Sequence, residues 1–368
     1  MRSLSISPLK TSWLASHRPL MPQPCKSSMS VSIPFGSCNF PSFVLKSSSS
    51  ATKLNAAADP PPLVVVGSAN ADIFLEIDRL PDQGETIAAH DGFALPGGKG
   101  ANQAACAAKL SYPTYFVGQV GDDSHGIFII DELKKSGVSV DFVREVSGVP
   151  TGHAVVMLQP GGENSIIISG GANMRGWPNR FSPEELEIVN SAGIVMLQRE
   201  IPDSVNLQIA EAASAAGVPV ILDAGGMDAP FPSELLSAID VLSPNETELS
   251  RITGMPTETM EQIQSAVNAC HELGVKNVLL KLGERGSALF AEGEKPLFQP
   301  IFSAAKVVDT TGAGDTFTAA FAVALLEGKP RSKCLQFAAA AASVCIEEKG
   351  AMPSMPDRRA VLNRVLSA

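Results

Sequence analysis

The sequence predicts an α/β fold: a doubly wound, mostly parallel sheet with helices on both faces, together with a small β-sheet lid. Short apolar runs, which are typical of buried strands, alternate with helix-length segments rich in Ala, Leu, Glu and Lys. Such alternation implies right-handed crossovers and a parallel sheet. Two pairs of strand-like segments that have no helix between them predict the lid.

The predicted strands of the main sheet are continuous apolar runs. They cover residues 63–66, 115–120, 194–197, 218–222, 241–243 and 278–282. The helices predicted between them cover residues 99–110, 124–136, 203–216 and 261–273. The alternation stops after Asp315, and three consecutive helices are predicted at 319–326, 332–347 and 357–366.

The lid is predicted from residues 73–93 and 151–169, which are inserted into the α/β core. The strand-like segments are 73–78, 86–93, 151–159 and 165–169. A Pro/Gly linker separates the first two, and the sequence Pro-Gly-Gly-Glu-Asn, a hairpin signal, separates the others. A sheet this small has to bury one face on a ligand cleft or on a second subunit. Ordinary edge hairpins would produce the same pattern.

The first 58 residues differ in composition from the rest of the chain. They contain no Asp or Glu, six Lys or Arg and fifteen Ser. A basic, Ser-rich and acid-free segment is typical of an organelle transit peptide. The abundant hydroxyl residues favour a plastid (the chloroplast stroma) over a mitochondrion. We therefore divide the chain into a transit peptide, 1–58, and one domain, 59–368.

The domain 59–368 is strongly acidic. The chain carries a formal net charge of −10, and removal of the six positive charges of the leader leaves −16. This charge repels nucleic-acid phosphates and anionic lipid surfaces, so we expect neither a nucleic-acid nor a membrane partner. The sequence also lacks a run of about 18 apolar residues, which a membrane-spanning helix would need.

The sequence Asp309-Thr-Thr-Gly-Ala-Gly-Asp315 precedes an apolar helix. A Gly-Ala-Gly turn that begins a helix points several unpaired backbone N–H groups at one place, where the helix dipole also favours an anion. Asp315 lies beside them, and a carboxylate next to an anion hole suggests deprotonation of an alcohol that attacks a phosphoryl group. Taken alone, Asp315 could equally be the N-cap of the helix.

Two further segments carry polar groups suited to a sugar. Asn70 and Asp72 follow the first strand, and side chains two apart in an extended segment share a face, where they would bind adjacent hydroxyls. Taken alone, both are also common turn formers. The sequence Gly97-Gly-Lys-Gly-Ala-Asn102 leads into a helix. Its glycines permit close approach of a ligand, and Asn102 offers both a donor and an acceptor.

Asn245 and Glu248 begin a helix that follows the strand 241–243. Side chains three apart at the start of a helix project to one side. Because Mg²⁺ is commonly held by one or two carboxylates and by substrate phosphates, the pair suits a magnesium–nucleotide complex. A capping pair would have the same residues, and it is the default interpretation of this motif alone.

Together, these motifs resemble those of the PfkB carbohydrate kinases over about residues 63–366 and, within that family, those of the members that phosphorylate ribose. The order and spacing of Asn-x-Asp, Gly-Gly-Lys-Gly-Ala-Asn-Gln, Asn-x-x-Glu and Asp-Thr-x-Gly-Ala-Gly-Asp carry the resemblance. It implies a kinase that transfers phosphate from ATP to O5 of D-ribose, with Mg²⁺ bound alongside ATP.

The resemblance also implies roles for individual residues. Asp315 is the implied catalytic base, and Gly312, Ala313 and Gly314 are the implied anion hole. The implied ribose ligands are Asn70, Asp72, Gly98, Lys99, Asn102, Glu200 and Asp315. The implied nucleotide-binding residues are Asn245, Glu248, Lys281, Gly283, Arg285, Gly286 and Gly314, with Glu248 holding Mg²⁺ through water. Lys281 departs from the family pattern, because many members carry Thr there.

An activating monovalent cation, usually K⁺, is also implied beside the anion hole. Its implied ligands are Asp309, through its carboxylate, and Thr311, Cys345, Glu348, Gly350 and Ser354, largely through backbone oxygens. The family further implies a homodimer through the lid. Two alternatives stay open: another member, such as a fructokinase, pseudouridine kinase or adenosine kinase, and a non-catalytic organelle scaffold of the same fold. The glycine motif favours ribose over the first, and the intact catalytic motif argues against the second.

Overall fold

A computed structural model of the chain describes residues 59–160 and 163–367, and the predicted transit peptide lies outside these residues. The strands are β1 (Leu63–Val66), β2 (Asn70–Glu76), β3 (Asp91–Gly97), β4 (Thr114–Gly121), β5 (Ser139–Val146), β6 (Gly152–Leu158), β7 (Asn164–Ser169), β8 (Ile194–Arg199), β9 (Val220–Gly226), β10 (Val241–Ser243), β11 (Asn277–Lys281), β12 (Ser287–Ala291) and β13 (Leu297–Gln299). The α-helices are α1 (Lys99–Lys109), α2 (Ser124–Lys135), α3 (Pro183–Asn190), α4 (Asp203–Ala216), α5 (Ser233–Ser237), α6 (Glu246–Thr253), α7 (Met260–Glu272), α8 (Ala313–Leu326), α9 (Arg331–Cys345) and α10 (Arg358–Leu366).

The main sheet has nine strands in the order β13-β12-β11-β10-β9-β8-β1-β4-β5. The strands from β11 to β5 in this order are parallel, and β12 and β13 add an antiparallel edge. The structure thus confirms the predicted doubly wound, mostly parallel sheet.

The strand β1 shows how helices cover both faces of this sheet. Leu63 and Val65 pack into one core with residues of α1, α8 and α9. Val64 and Val66 pack into a second core with residues of α4 and α7. Successive side chains of a strand point to opposite faces, so an uninterrupted apolar run is what a strand buried on both sides requires.

The elements that sequence analysis missed are polar, short or both. The edge strand β5 carries charged residues in its middle, and strands β12 and β13 have only five and three residues. The range 319–326 predicted for α8 starts six residues too late, although the Gly-Ala-Gly turn was already expected to begin the helix. Its first turns contain Thr316 and Thr318, which are weak helix formers, but both side chains are fully buried and packing decides the conformation. No helix among the described residues is long and apolar enough to cross a membrane.

The predicted lid is a separate four-stranded sheet in the order β3-β2-β6-β7. Its two antiparallel pairs are joined by a parallel pairing of β2 with β6, which sequence analysis did not foresee. The predicted bounds 73–78 and 86–93 were wrong by several residues, because Asn70-Ala-Asp72 was interpreted as a polar segment after the first strand and Gly97 as part of a glycine-rich turn. Pro96 lies in an edge strand, where Pro is tolerated. Asn70 and Asp72 are consequently residues of a lid strand.

Candidate active site

The carboxyl ends of β1 and β8 meet the first turn of α1 next to the start of β2. Glu200, directly after β8, accepts hydrogen bonds from Oγ of Ser68 (2.6 Å) and from the backbone N of Lys99 (2.9 Å). Gly98 is the N-cap of α1 and has φ +87°. A Cβ at Gly98 would lie 2.8 Å from the backbone N of Asn70. Glycine therefore allows α1 to approach β2, and these contacts gather four of the predicted ribose ligands.

Asn70 is oriented by Asn173, a residue that sequence analysis missed. Nδ2 of Asn173 donates to Oδ1 of Asn70 (2.7 Å) and to the backbone O of Ala69 (3.1 Å). Oδ1 of Asn173 accepts from the backbone N of Ala69 (2.9 Å). Asn173 is buried in a short 3-10 helix that follows β7. It belongs to no local motif, and only the fold brings it to a partner 103 positions away.

Asp72 lies on β2 opposite the end of β3. A Cβ on Gly97 would overlap the carboxylate of Asp72, so this glycine makes room for it. Burial, with a smaller contribution from the charge of Glu200, raises the pKa of Asp72 to about 7. Near neutral pH the protonated form is therefore well populated, and this form donates as well as accepts hydrogen bonds.

Asp315 lies in the first turn of α8 but is not its N-cap. The N-cap is Gly312, which has a left-handed φ of +79° and makes no side-chain capping bond. The carboxylate of Asp315 is buried and accepts from Nδ2 of Asn102 (2.9 Å) and from Nε2 of Gln103 (3.3 Å). Nζ of Lys99 lies 3.5 Å away. The interpretation of Asp315 as a cap is wrong, because its carboxylate faces α1 and the predicted sugar ligands.

A buried carboxylate that sequence analysis did not single out lies between two lysines. Oδ2 of Asp223, in β9, is 2.7 Å from Nζ of Lys281, and its Oδ1 is 3.6 Å from Nζ of Lys99. Burial alone would raise the pKa of Asp223, but the two ammonium groups hold that pKa well below its usual value. Burial alone would lower the pKa of Lys99, but the charges of Asp315 and Asp223 raise it well above its usual value. Asp223 and Lys99 are therefore ionised at neutral pH.

On the nucleotide side, Asn245 and Glu248 form a capping box at the start of α6. The backbone N of Glu248 donates to Oδ1 of Asn245 (2.8 Å), and the backbone N of Asn245 donates to Oε2 of Glu248 (2.7 Å). The structure thus confirms the capping interpretation of this pair. Capping occupies Oε2, while the side chain of Glu248 also lines a cavity of about 370 Å³ with Arg199 and Phe231. A single carboxylate of this kind fits Mg²⁺ that is held through water and substrate phosphates.

The predicted nucleotide loop after β11 is tied to the same helix. Gly283–Arg285 form a single 3-10 turn, and Gly286 follows with φ +89°. Arg285 forms an ion pair with Glu246 and donates to the backbone O of Glu258 (3.2 Å). The guanidinium of Arg285 is therefore engaged by groups of the protein, and the loop is held against α6.

The predicted cation ligands Asp309 and Thr311 precede α8, Cys345 ends α9, and Glu348, Gly350 and Ser354 lie in the segment between α9 and α10. Oδ1 of Asp309 accepts from the backbone N of Thr311 (2.9 Å), and its Oδ2 accepts from the backbone N of Gly350 (2.8 Å). Sγ of Cys345 is 3.1 Å from Oγ of Ser354 and 3.9 Å from the backbone O of Thr311. Burial alone would raise the pKa of Asp309, but these hydrogen bonds lower it. The carboxylate of Asp309 is the charged oxygen donor that a monovalent cation would need here, and it already accepts two backbone hydrogen bonds.

Comparison with known proteins identifies the family. The profile of the pfkB family carbohydrate kinases matches residues 61–358. The chain belongs to the pfkB family of carbohydrate kinases. A ribokinase from Arabidopsis thaliana is 68% identical to this pfkB kinase over 307 residues, which cover 83% of this chain and 81% of that protein. A ribokinase from Bacillus subtilis is 35% identical over 299 residues, which cover 81% and 97%.

Solved structures of the pfkB family share the fold. The structure of Arabidopsis thaliana ribokinase complexed with ribose and ATP matches with a TM-score of 0.82 and 68% identity, covering 83% of this chain and 99% of that chain. Ribokinase from Thermotoga maritima matches with a TM-score of 0.75 and 35% identity, covering 84% and 100%. The resemblance inferred from the motifs and the predicted fold class are confirmed.

Proposed function

We propose that this chain catalyses ATP-dependent phosphorylation of D-ribose at O5, giving D-ribose 5-phosphate and ADP. The position of Asp315 carries the proposal. Its buried carboxylate contacts Asn102 and Lys99 on one side and follows the Gly312–Gly314 turn on the other. A sugar hydroxyl and a phosphoryl group would therefore meet at this carboxylate. The identity to ribokinases from a plant and a bacterium supports ribose as the sugar.

The hydrogen-bonding groups on the sugar side suit a polyol. Within the described residues, Oδ1 of Asn102 is a buried acceptor without a partner, while Nδ2 of the same amide binds Asp315. A hydroxyl bound next to Asp315 would supply the missing donor. Asn70, Asp72 and Glu200 add acceptors, and Lys99 adds a donor, so neighbouring hydroxyls would find partners of both kinds.

The chemistry requires one base and a place for negative charge. Asp315 takes the proton of the O5 hydroxyl as the bond from O5 to phosphorus forms and the bond from phosphorus to ADP breaks. The backbone N–H groups of Gly312 and Gly314 would stabilise the charge on the transferring group, while that of Ala313 donates to the backbone O of Thr310 (3.2 Å) and would have to exchange this bond to join them. Magnesium, when bound with ATP, neutralises phosphate charge, and Glu248, through water, and Asn245 are the residues that would hold it.

A substrate panel tests the proposal. The purified protein is supplied with Mg-ATP and K⁺ and with D-ribose, 2-deoxy-D-ribose, D-fructose, pseudouridine or adenosine, and ADP release is measured. We expect the highest kcat/KM for D-ribose and a product phosphorylated at O5 by NMR. A higher kcat/KM for fructose or for a nucleoside would contradict the proposal and assign the chain to one of the alternative family activities. Absence of turnover with every sugar would support the scaffold alternative.

We propose that K⁺ activates the enzyme by binding to the oxygens around Asp309. The carboxylate of Asp309 ties the segment before the Gly312–Gly314 turn to Gly350, so a cation here would order the amides of the anion hole. We expect Asp309→Asn to lower the rate with K⁺ to the rate of the wild-type protein without K⁺. Equal rates with K⁺ and with a bulky cation such as tetramethylammonium in the wild-type protein would contradict the proposal.

We also propose a homodimer through the lid. The edge strand β7 exposes Ile166, Ile167 and Ile168, with 53%, 62% and 68% of their surface accessible. Because neighbouring residues of a strand point to opposite faces, β7 leaves apolar side chains uncovered on both faces. One face would cover the sugar cleft, and the other would meet a partner. We expect ultracentrifugation to give a dimer that Ile167→Lys, or Ile166→Lys with Ile168→Lys, converts to a monomer. A monomeric wild-type protein would contradict this.

We propose, finally, that residues 1–58 direct the protein to the plastid stroma. The absence of acidic residues and the fifteen Ser in this segment support the proposal. A fusion of residues 1–58 to a fluorescent protein is expected to enter plastids and to lose the segment on import. Retention in the cytosol, or import into mitochondria, would contradict it.

A further inference from the structure

The fully buried carboxylate of Asp223 is neither the proposed base nor one of the proposed sugar or magnesium ligands. It lies near the carboxyl end of β9 and accepts hydrogen bonds from Nζ of Lys281 (2.7 Å), from Oγ1 of Thr318 (3.0 Å) and from the backbone N of Gly225 (3.0 Å). A buried carboxylate is costly unless it is paired and hydrogen-bonded, and losing one partner leaves the others uncompensated. The hydrogen bonds around Asp223 therefore hold the side chains of Lys281 and Thr318 in fixed positions.

Lys281 reaches from this cluster to the anion-hole turn. It ends β11, and 14% of its side chain is accessible. A methyl group built on Gly314 would lie 3.7 Å from Cδ and 3.8 Å from Nζ of Lys281. The ammonium group uses one N–H bond on Asp223 and has three in total. Two N–H groups of Lys281 therefore remain available next to the backbone amide of Gly314, which is predicted to bind the transferring phosphoryl group.

Four charged side chains of alternating sign connect Lys281 to the proposed base, Asp315. Lys281 binds Asp223, Asp223 lies 3.6 Å from Nζ of Lys99, and Nζ of Lys99 lies 3.5 Å from Asp315. A methyl group on Gly225 would lie 2.6 Å from Nζ of Lys99, so this glycine leaves the room in which the ammonium group sits. The carboxylate of Asp223 thereby holds the ammonium group of Lys281 on the phosphate side and that of Lys99 on the sugar side.

We propose that Lys281 is a catalytic residue that donates a charge-assisted hydrogen bond to the transferring phosphoryl group, and that Asp223 is the positioning residue that holds it there. The proposal rests on the kinase function proposed above. The bond from O5 to phosphorus forms, the bond from phosphorus to ADP breaks, and the proton of O5 passes to Asp315. Lys281 stays protonated throughout and balances negative charge. Lys281 would thereby place a full positive charge next to the transferring group.

Lys281→Met tests the role of Lys281, because it keeps the length of the side chain and removes the charge. We expect kcat to fall on the order of 10²–10³-fold, as for loss of one donor of an anion hole, with KM for ribose within about threefold of wild type. Lys281→Arg should restore part of the loss. Lys276→Met is the matched control: Lys276 directly precedes β11, pairs with Asp240 at the surface and lies outside the site, so its removal should leave kcat unchanged.

Binding of a transition-state analogue separates catalysis from ordinary nucleotide binding. ADP with aluminium fluoride and ribose imitates the transferring group, whereas ADP alone does not. We expect Lys281→Met to weaken binding of the analogue by about the same factor as it lowers kcat, and to change the affinity for ADP less than threefold. Equal weakening of both would make Lys281 a nucleotide ligand and overturn the proposal. So would a kcat within threefold of wild type.

The positioning role of Asp223 is tested by a double-mutant cycle. Asp223→Asn should lower kcat strongly in the wild-type background and much less in Lys281→Met, because part of its effect passes through Lys281. If the effects of the two substitutions on kcat are fully additive, Asp223 does not position Lys281. If Asp223→Asn does not fold, the Lys281 variants still test whether Lys281 is catalytic. A wild-type protein without ribose turnover would remove the proposed function together with this inference. If the wild-type protein phosphorylates ribose and Lys281→Met does so equally well, the proposed function stands and only the role of Lys281 is rejected.

Discussion

The sugar side and the nucleotide side of Asp315 use their polar side chains differently. On the proposed sugar side, Asn102 and Lys99 direct polar atoms at the carboxylate of Asp315, and buried Asn173 fixes Asn70. On the nucleotide side, Asn245 and Glu248 bind each other's backbone. The difference supports a proposed sugar half that is organised around the carboxylate of Asp315. The proposed nucleotide half offers the backbone of a glycine turn and, beside it, the single ammonium group of Lys281.

The largest effect should come from the residue that both sides share. Asp315→Asn removes the proposed base, and we expect kcat to fall on the order of 10²–10⁴-fold while ribose affinity changes little. Steady-state kinetics and equilibrium ribose binding provide the two measurements. Asp357→Asn, the same substitution at the N-cap of α10, is a matched control that keeps a good capping residue and should be neutral. Near-normal turnover in Asp315→Asn would remove Asp315 from the mechanism.

The next effect should be confined to the sugar side. Glu200→Gln weakens two charge-assisted hydrogen bonds, from Ser68 and from the start of α1, each worth about 1.5–3 kcal/mol with a charged acceptor. We expect KM for ribose to rise about 10–100-fold with KM for ATP almost unchanged. Glu187→Gln, on the exposed face of α3, serves as the control. An equal rise in both KM values would erase the distinction between the two halves.

A smaller effect is expected on the nucleotide side. Glu248→Gln keeps the capping box, because Gln caps as well as Glu, and removes only the negative charge. The magnesium concentration for half-maximal rate should therefore rise several-fold, while the melting temperature and the ribose affinity stay unchanged. A magnesium dependence equal to that of wild type would restrict Glu248 to capping.

The smallest effect concerns stability and pH. Because the pKa of Asp72 is raised to about 7, the folded protein binds more protons at this residue than the unfolded chain between about pH 4 and pH 7. Stability therefore falls as pH rises through that window, and the loss is complete above it. Asp72→Asn should raise the free energy of unfolding by about 1–2 kcal/mol at pH 8, reduced by solvent from the full shift, and hardly at pH 4. Equal effects at both pH values would contradict the raised pKa.

The sequence predicts the parts of the fold that have a short-range signature. The apolar run of β1 and the helix α4 were placed at the observed bounds, since periodicity and flanking residues specify both. The Pro and Gly residues of β3 obscured a strand, because only its place at the sheet edge makes them acceptable. The edge strand β5 was missed since its charged residues conceal the alternation.

The residues of the candidate site also divide into those that a short sequence motif predicts and those that only the fold brings together. Asp315, Asn102 and Lys99 belong to compact motifs, and the structure brings them together. Asn173 and Asp223 stand alone in the sequence, and their partners come from distant elements, so only the fold assigns them a place. The bonds of Asn245 with Glu248 are local and were foreseen as capping. Sequence patterns therefore locate groups that act within one turn, and miss those that act across the sheet.

A calorimetric titration of D-ribose into the nucleotide-free protein tests most directly whether the sugar half is formed before the nucleotide arrives. The side chains that surround Asp315 bind one another, which predicts saturable binding of one ribose per chain in the absence of ATP and ADP. Absence of ribose binding until a nucleotide is added would contradict this account, because the sugar site would then be assembled by the nucleotide.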